Sequence, residues 1–142
     1  MVVNDVLSEA EYADIIVTLL QPPYSVASIT KLVIISFCVK NENNHAKYAN
    51  RKKDFVDIFI SNVSIKLSTH RKEINQIIKV IDMLNKTSKV CIDGDNIALI
   101  HDFTFLTENS FLKFCKAKSP NPIAEVSKLS PKALIEEVVR YV

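Results

Sequence analysis

The pattern of apolar and polar residues between Ser68 and Ile100 predicts a helix followed directly by a tight β-hairpin. Ser68 or Thr69 is expected to cap the start of this helix, because short polar side chains satisfy free backbone N–H groups. Glu73 is expected in its first turn, where a helix N-terminus favours negative charge. The i, i+3, i+4 spacing then creates one apolar stripe, formed by Ile74, Ile77, Ile78, Ile81 and Leu84.

Polar residues follow the opposite face of this helix, and a hairpin signal follows its end. The polar face contains Arg71, Lys72, Asn75, Lys79, Asp82 and Lys86. Two short β-type runs, Lys89–Asp93 and Asn96–Ile100, flank the turn sequence Asp93-Gly94-Asp95. We therefore predict a mainly α (α+β) fold: a winged helix-turn-helix-like helical domain with one β-hairpin wing.

Two helices are predicted upstream. Ser8 and Glu11 have the spacing of a capping box, which predicts a helix from about Glu9 to Leu20 that ends before two prolines. Its buried stripe is expected to consist of Tyr12, Ile15, Ile16, Leu19 and Leu20. Ser25 or Ser28 is expected to cap a second helix reaching roughly Lys40. Its residues are apolar on nearly all sides, which is typical of the central helix of a domain.

A third helix is predicted from Tyr48 or Asn50 to about Ile60, with a basic start and an apolar second half. The basic residues at its start include Arg51, Lys52 and Lys53. A short strand is expected within Val63–Leu67, because apolar and polar residues alternate there.

Two more helices are predicted after the hairpin. The first covers Asn109–Lys116, and a stiff proline-containing link follows it. The residues of this helix that are expected to point inward are Phe111, Leu112, Phe114 and Cys115. Ser130-Pro131 then opens the last helix, with Ser as the cap and Pro at the first helical position. Its apolar stripe is the candidate partner-binding surface and consists of Leu134, Ile135, Val138, Tyr141 and Val142. We expect a single winged-helix-like domain over residues 1–142, in which the helix of residues 130–142 packs on its own core or docks a partner.

Composition excludes several classes of protein. One glycine in 142 residues cannot build a glycine-rich nucleotide-binding loop. Three widely separated cysteines, the lack of a signal-peptide pattern and an apolar run too short to span a bilayer predict a soluble, cytoplasmic protein. We expect no membrane association.

Neither metal binding nor catalysis is indicated. His45, His70 and His101 lack ligand spacing, and the hairpin turn lacks the remaining ligands of a calcium loop. Cys115 could pair with a histidine, but its apolar surroundings are more typical of a core thiol. We therefore expect a protein without catalytic, cofactor-binding or metal residues and without a small-molecule substrate.

Nucleic-acid binding is the main alternative. Lys72 and Lys79 lie on the polar face of the helix before the hairpin, and Arg51, Lys52 and Lys53 could also contact phosphates. Two carboxylates at the hairpin turn oppose this function, because they repel the DNA backbone. A winged-helix DNA-binding transcriptional regulator remains the alternative function.

Three segments carry a resemblance to a known family: Tyr24–Leu32, Tyr48–Phe55 and Glu73–Leu84. Together with the hairpin that follows them, they resemble the small middle component of bacterial three-component ABC systems. Within this group, the chain resembles the middle subunit of Lamassu-type antiphage defence. The resemblance covers roughly Leu20 to Val142 and consists of apolar positions and turns.

The resemblance implies a non-enzymatic adaptor related to winged-helix proteins. Such a subunit bridges an SMC- or Rad50-like ABC ATPase, which senses foreign or broken DNA, and a nuclease-type effector. The adaptor would help to hold the effector inactive until that signal arrives. DNA would be contacted only within the assembly, if at all.

Overall fold

The computed structural model describes residues 2–42, 59–60, 70–100, 107–118 and 121–140. Within these ranges the chain is mainly helical and contains a two-stranded antiparallel hairpin, which confirms the predicted α+β class. The helices and strands, in chain order, are α1 (Val2–Leu19), α2 (Ile29–Lys40), α3 (Arg71–Lys86), β1 (Val90–Asp93), β2 (Asn96–Leu99), α4 (Ser110–Lys116), α5 (Pro122–Ser127) and α6 (Pro131–Arg140).

Helix α1 has the predicted buried stripe but a different start. Tyr12, Ile15, Ile16, Leu19 and Leu20 are buried, as their spacing predicts. The prediction of a capping box at Ser8 was wrong, because α1 begins at Val2 and Ser8 lies inside the helix. The Ser8 hydroxyl instead donates a hydrogen bond to Gln76 of α3. A contact with a distant helix therefore replaces the local cap.

Helix α2 lies at the centre of the domain, as its apolar sequence predicts. Ser28 is its N-cap and accepts a hydrogen bond from the backbone N–H of Lys31. The helix contacts α1, α3, α4 and α6. Its buried residues are Leu32, Ile35, Ser36, Phe37, Cys38 and Val39.

Helix α3 differs from the prediction in its first residue and in the residues that it buries. It begins at Arg71 with His70 at the N-cap position, and Ser68 and Thr69, the expected caps, lie outside the described residues. Glu73 lies in the first turn, as predicted. Ile78, which was assigned to the apolar stripe, is exposed. The buried residues of α3 are Gln76, Ile77, Val80 and Ile81.

The hairpin follows α3 as predicted. Its register pairs Val90 with Leu99 and Asp93 with Asn96, around a two-residue turn. Gly94 has a φ of 61°, the left-handed conformation that favours glycine at this position. The segment before α2 also contacts this sheet, because Ser28 forms an isolated antiparallel bridge with Asn96.

The helices after the hairpin confirm two predictions and add one helix. Helix α4 starts after the N-cap Asn109, and three of the four residues predicted to point inward, Phe111, Leu112 and Cys115, are buried. Helix α5 was missed: Asn121 accepts hydrogen bonds from the backbone of Ile123 and Ala124, and Pro122 occupies the first helical position. The predicted stiff link therefore leads directly into a short helix.

The third predicted helix and the strand within Val63–Leu67 lie almost entirely outside the described residues. The exceptions are Phe59 and Ile60, which are buried as predicted. The ring of Phe59 stacks on Phe111 of α4 at a centroid distance of 5.9 Å. Among the described residues, no helix combines the length and the apolar character needed to cross a membrane.

Candidate interaction surfaces

Helix α6 divides its predicted apolar stripe between the core and the surface. Leu134 is fully buried and Val138 nearly so, which anchors α6 to the domain. Ile135 is 43% exposed and Val139 is 61% exposed. These two residues are one helical turn apart and therefore form a continuous apolar strip, here called the α6 ridge. Tyr141 and Val142, the other predicted partner-binding residues, lie outside the described residues.

Local contacts keep the α6 ridge in a defined orientation. The Ser130 hydroxyl accepts a hydrogen bond from the backbone N–H of Ala133 at 3.1 Å, and Pro131 is the first helical residue. This is the predicted N-cap arrangement. Arg140 and Glu137 form an ion pair at 3.1 Å in the last turn. The ridge therefore belongs to a capped helix whose neighbouring face is buried.

Two basic residues of α3, Lys72 and Lys79, are paired with carboxylates of α1. Lys72 Nζ lies 3.0 Å from Asp5, and Lys79 Nζ lies 2.9 Å from Glu9. The Lys72 side chain holds the pKa of the Asp5 carboxyl below its usual value, so this carboxylate is charged at neutral pH. Lys72 and Lys79, the two predicted nucleic-acid contacts within the described residues, are here called the basic flank. Its charge is balanced from within the chain.

The outward face of α3 is chemically mixed. Arg71 and Asn75 are exposed, and Ile78 beside them is 52% exposed. Asp82 and Lys86 form an ion pair on this helix at 2.8 Å. The described part of this face therefore lacks the uniform positive charge of a surface that binds DNA through phosphates alone. The other predicted contacts, Arg51, Lys52 and Lys53, lie outside the described residues.

The hairpin turn is attached to the start of α2. The Asp95 carboxylate accepts hydrogen bonds from the Ser28 hydroxyl at 2.5 Å and from the backbone N–H of Thr30 at 3.0 Å. The backbone carbonyl of Asp95 also accepts from the N–H of Ile29 at 2.7 Å. The hydrogen bonds from Ser28 and Thr30 lower the pKa of the Asp95 carboxyl. The sequence predicted a carboxylate of Asp95 at the hairpin turn, and in the structure this carboxylate also caps the start of α2.

A half-buried polar cluster joins the first three helices. Glu73 accepts hydrogen bonds from the Tyr12 hydroxyl at 3.0 Å and from Lys40 at 3.1 Å. Lys40 also lies over the Tyr12 ring, 5.2 Å from its centroid. Burial, followed by the nearby negative charge of Glu73, raises the pKa of the Tyr12 hydroxyl. The half-buried charges of Lys40 and Glu73 are paired with each other, which offsets part of the cost of removing them from water.

The candidate nucleophile is inaccessible. Cys115 is completely buried, and burial raises the pKa of its thiol to about 12. A thiol in this state is neutral near pH 7 and does not act as a nucleophile. His70 contacts Phe37 edge-on, and His101 lies outside the described residues. In the described part of the chain, no group of three His, Cys, Asp or Glu side chains could hold a metal ion.

Comparisons with family models, curated proteins and solved structures found no match to this chain. Sequence reasoning missed the ion pairs between α1 and α3 and the cap that Asp95 provides. Both join residues more than sixty positions apart, and local spacing carries no signal for such pairs.

Proposed function

We propose that this chain is a non-enzymatic adaptor subunit that binds another protein through the α6 ridge. The observation that carries the proposal is the exposure of Ile135 and Val139 beside the buried Leu134 and Val138. Apolar side chains one turn apart on a fixed helix are the usual anchors when a helix lies in the groove of a partner. The inaccessible thiol of Cys115 supports a binding role over a catalytic one.

The partners that we propose are those implied by the family resemblance. They are an SMC- or Rad50-like ATPase and a nuclease-type effector of an antiphage defence complex, between which the chain would act as a bridge. The balanced charge of the basic flank supports a role in which the isolated chain does not bind DNA. DNA contact, if any, would then occur only within the assembly.

We also propose that the fold is of the winged-helix type. Winged helices have a short strand before the second helix that pairs with the hairpin. The bridge between Ser28 and Asn96 occupies the corresponding place between α1 and α2. The order of α1, bridge, α2, α3 and hairpin supports the proposal, with the segment between α2 and α3 largely outside the described residues.

The test is co-expression of the tagged chain with the proteins encoded beside it. We expect a long coiled-coil ATPase or a nuclease to co-purify with the wild-type chain. The Ile135→Ser, Val139→Ser double variant should lose that partner while remaining folded, because both side chains are exposed. Retention of the partner by this variant would remove the α6 ridge from the interface.

The alternative function is that of a winged-helix DNA-binding regulator. The observation that favours it is the exposed Arg71 and Asn75 on the outward face of α3, since such side chains bind phosphates and bases. A regulator acting alone should bind duplex DNA with a steep salt dependence. The adaptor should bind the same duplex weakly.

A further inference from the structure

Three residues in the first half of α1, Asp5, Ser8 and Glu9, form polar contacts with α3. Asp5 pairs with Lys72, Glu9 pairs with Lys79, and Ser8 donates to Gln76 between them at 2.9 Å. Gln76 in turn lies 3.5 Å from the Asp5 carboxylate. The second half of α1 differs, because Tyr12, Ile15 and Ile16 are buried in the core. The start of α1 is therefore bound to α3 by charge and hydrogen bonds.

The lysines in these pairs remain accessible to solvent. The side chain of Lys72 is 70% exposed and that of Lys79 is 62% exposed, whereas their partners Asp5 and Glu9 are 39% and 17% exposed. Exposed ion pairs of this kind contribute little to stability. Their larger effect is on the electrostatic potential of this surface, which two carboxylates make less positive.

We infer that Asp5 and Glu9 form an electrostatic shield that keeps the basic flank of α3 from binding the phosphate backbone of duplex DNA. The two lysines lie seven residues apart, so their backbone positions are separated by about 10 Å along the helix. Arg71 and Asn75 continue this polar surface towards the outward face of α3. Arg71 adds a positive charge that complements phosphates, and the Asn75 amide has the donor and acceptor that a base edge requires.

This inference does not depend on the adaptor role. It concerns only the isolated chain and its own charges. A negative co-purification experiment would therefore contradict the adaptor role alone, and a negative DNA-binding experiment would contradict the shield alone. In this scheme the basic flank of α3 is a binding site for duplex DNA, and the ion pairs that α1 forms with the flank inhibit that binding.

The experiment is fluorescence anisotropy on a random-sequence duplex over a range of salt concentrations. In the Asp5→Asn, Glu9→Gln variant, both lysines lose their partners and become free to contact phosphates. We expect affinity to rise by on the order of tenfold or more at low salt, and the slope of log K against log salt to steepen by about 1.8. Adding Lys72→Ala and Lys79→Ala to this variant should abolish the gain.

The matched control is Glu125→Gln with Glu137→Gln. This variant raises the net charge by the same two units and breaks two ion pairs elsewhere, those with Lys128 and Arg140. It should leave DNA binding nearly unchanged. An equal gain in the control would show that net charge alone is responsible and would overturn the inference.

Other outcomes also decide the question. Unchanged affinity in the Asp5→Asn, Glu9→Gln variant would overturn the shield, and so would tight, salt-sensitive binding by the wild-type chain. An equal gain for polyglutamate would overturn the assignment to nucleic acid. If the double variant fails to fold, as judged by circular dichroism, Asp5→Asn alone carries the test with an expected change in slope of about 0.9.

Discussion

Asp95 and Thr30 are joined by two hydrogen bonds to one carboxylate oxygen. The Oδ1 atom of Asp95 accepts from the backbone N–H of Thr30 at 3.0 Å and from its hydroxyl at 2.8 Å. The hairpin turn thereby satisfies an N–H group in the first turn of α2, which the helix cannot satisfy itself. This contact couples the position of the hairpin to the central helix of the domain.

Loss of the Asp95 carboxylate should destabilise the protein. We expect Asp95→Ala to lower the free energy of unfolding by about 1 kcal/mol, the usual cost of losing a helix N-cap. Urea unfolding followed by circular dichroism measures this change. Asp93→Ala is the matched control, because Asp93 is an exposed carboxylate on the other side of the same turn. Equal effects of the two variants would contradict the cap.

The effect of Asp95 should also depend on pH. Its pKa is lower in the folded chain than its ordinary value of 3.8, so the folded state favours the charged form. Its contribution to stability is therefore present above pH 3.8 and is lost as the pH falls through the folded pKa. We expect the difference in stability between the wild-type chain and Asp95→Ala to shrink between pH 6 and pH 2.5. A difference that stays constant over this range would contradict the account.

Substitutions of core residues and of surface residues in α6 should differ in their effect on the free energy of unfolding. Leu134→Ala should lower the free energy of unfolding by about 2–5 kcal/mol, because it leaves a cavity in a fully buried site. Ile135→Ala should change it by less than about 0.5 kcal/mol, because much of that side chain is in water. Thermal or chemical unfolding tests both values. A large loss of stability in Ile135→Ala would mean that the α6 ridge is part of the core.

The three cysteines should differ in their reactivity. Cys91 is exposed, whereas Cys38 and Cys115 are buried. We expect Cys91 to react rapidly with a thiol reagent in the native protein near neutral pH, while Cys115 reacts only after unfolding. Absorbance measurements on Cys91→Ser and Cys115→Ser variants identify which thiol reacts. Rapid labelling of Cys115 in the native chain would contradict its burial and reopen a catalytic role.

Sequence patterns predicted the local features of this fold well. Ser28 and Ser130 cap the helices that their sequences indicate, and the hairpin has the expected turn. The same signal at Asn121-Pro122 marks α5 and could have been used to find it. Local rules succeed at these positions because the partner of each cap is two or three residues away.

The patterns were insufficient where a distant residue decides the outcome. Ser8 and Glu11 have capping-box spacing, yet Ser8 bonds to Gln76 and Glu11 lies 3.9 Å from Lys40. Ile78 fits the apolar stripe of α3 as well as Val80 does, and only the packing of the helix determines which one is buried. For the same reason, the sequence could propose the α6 stripe but could not divide it between core and surface.

The central claim is that the α6 ridge binds another protein. Measuring the affinity of the chain for its partner is the most direct test of this claim. Isothermal titration with the co-purifying ATPase or nuclease should show that Ile135→Ser, Val139→Ser weakens binding by roughly a hundredfold or more, the loss expected for central apolar anchors. The matched control, Ile78→Ser with Met83→Ser, removes two similarly exposed apolar side chains from α3 and should bind like the wild type. Wild-type affinity in the ridge variant, or an equal loss in the control, would contradict the account.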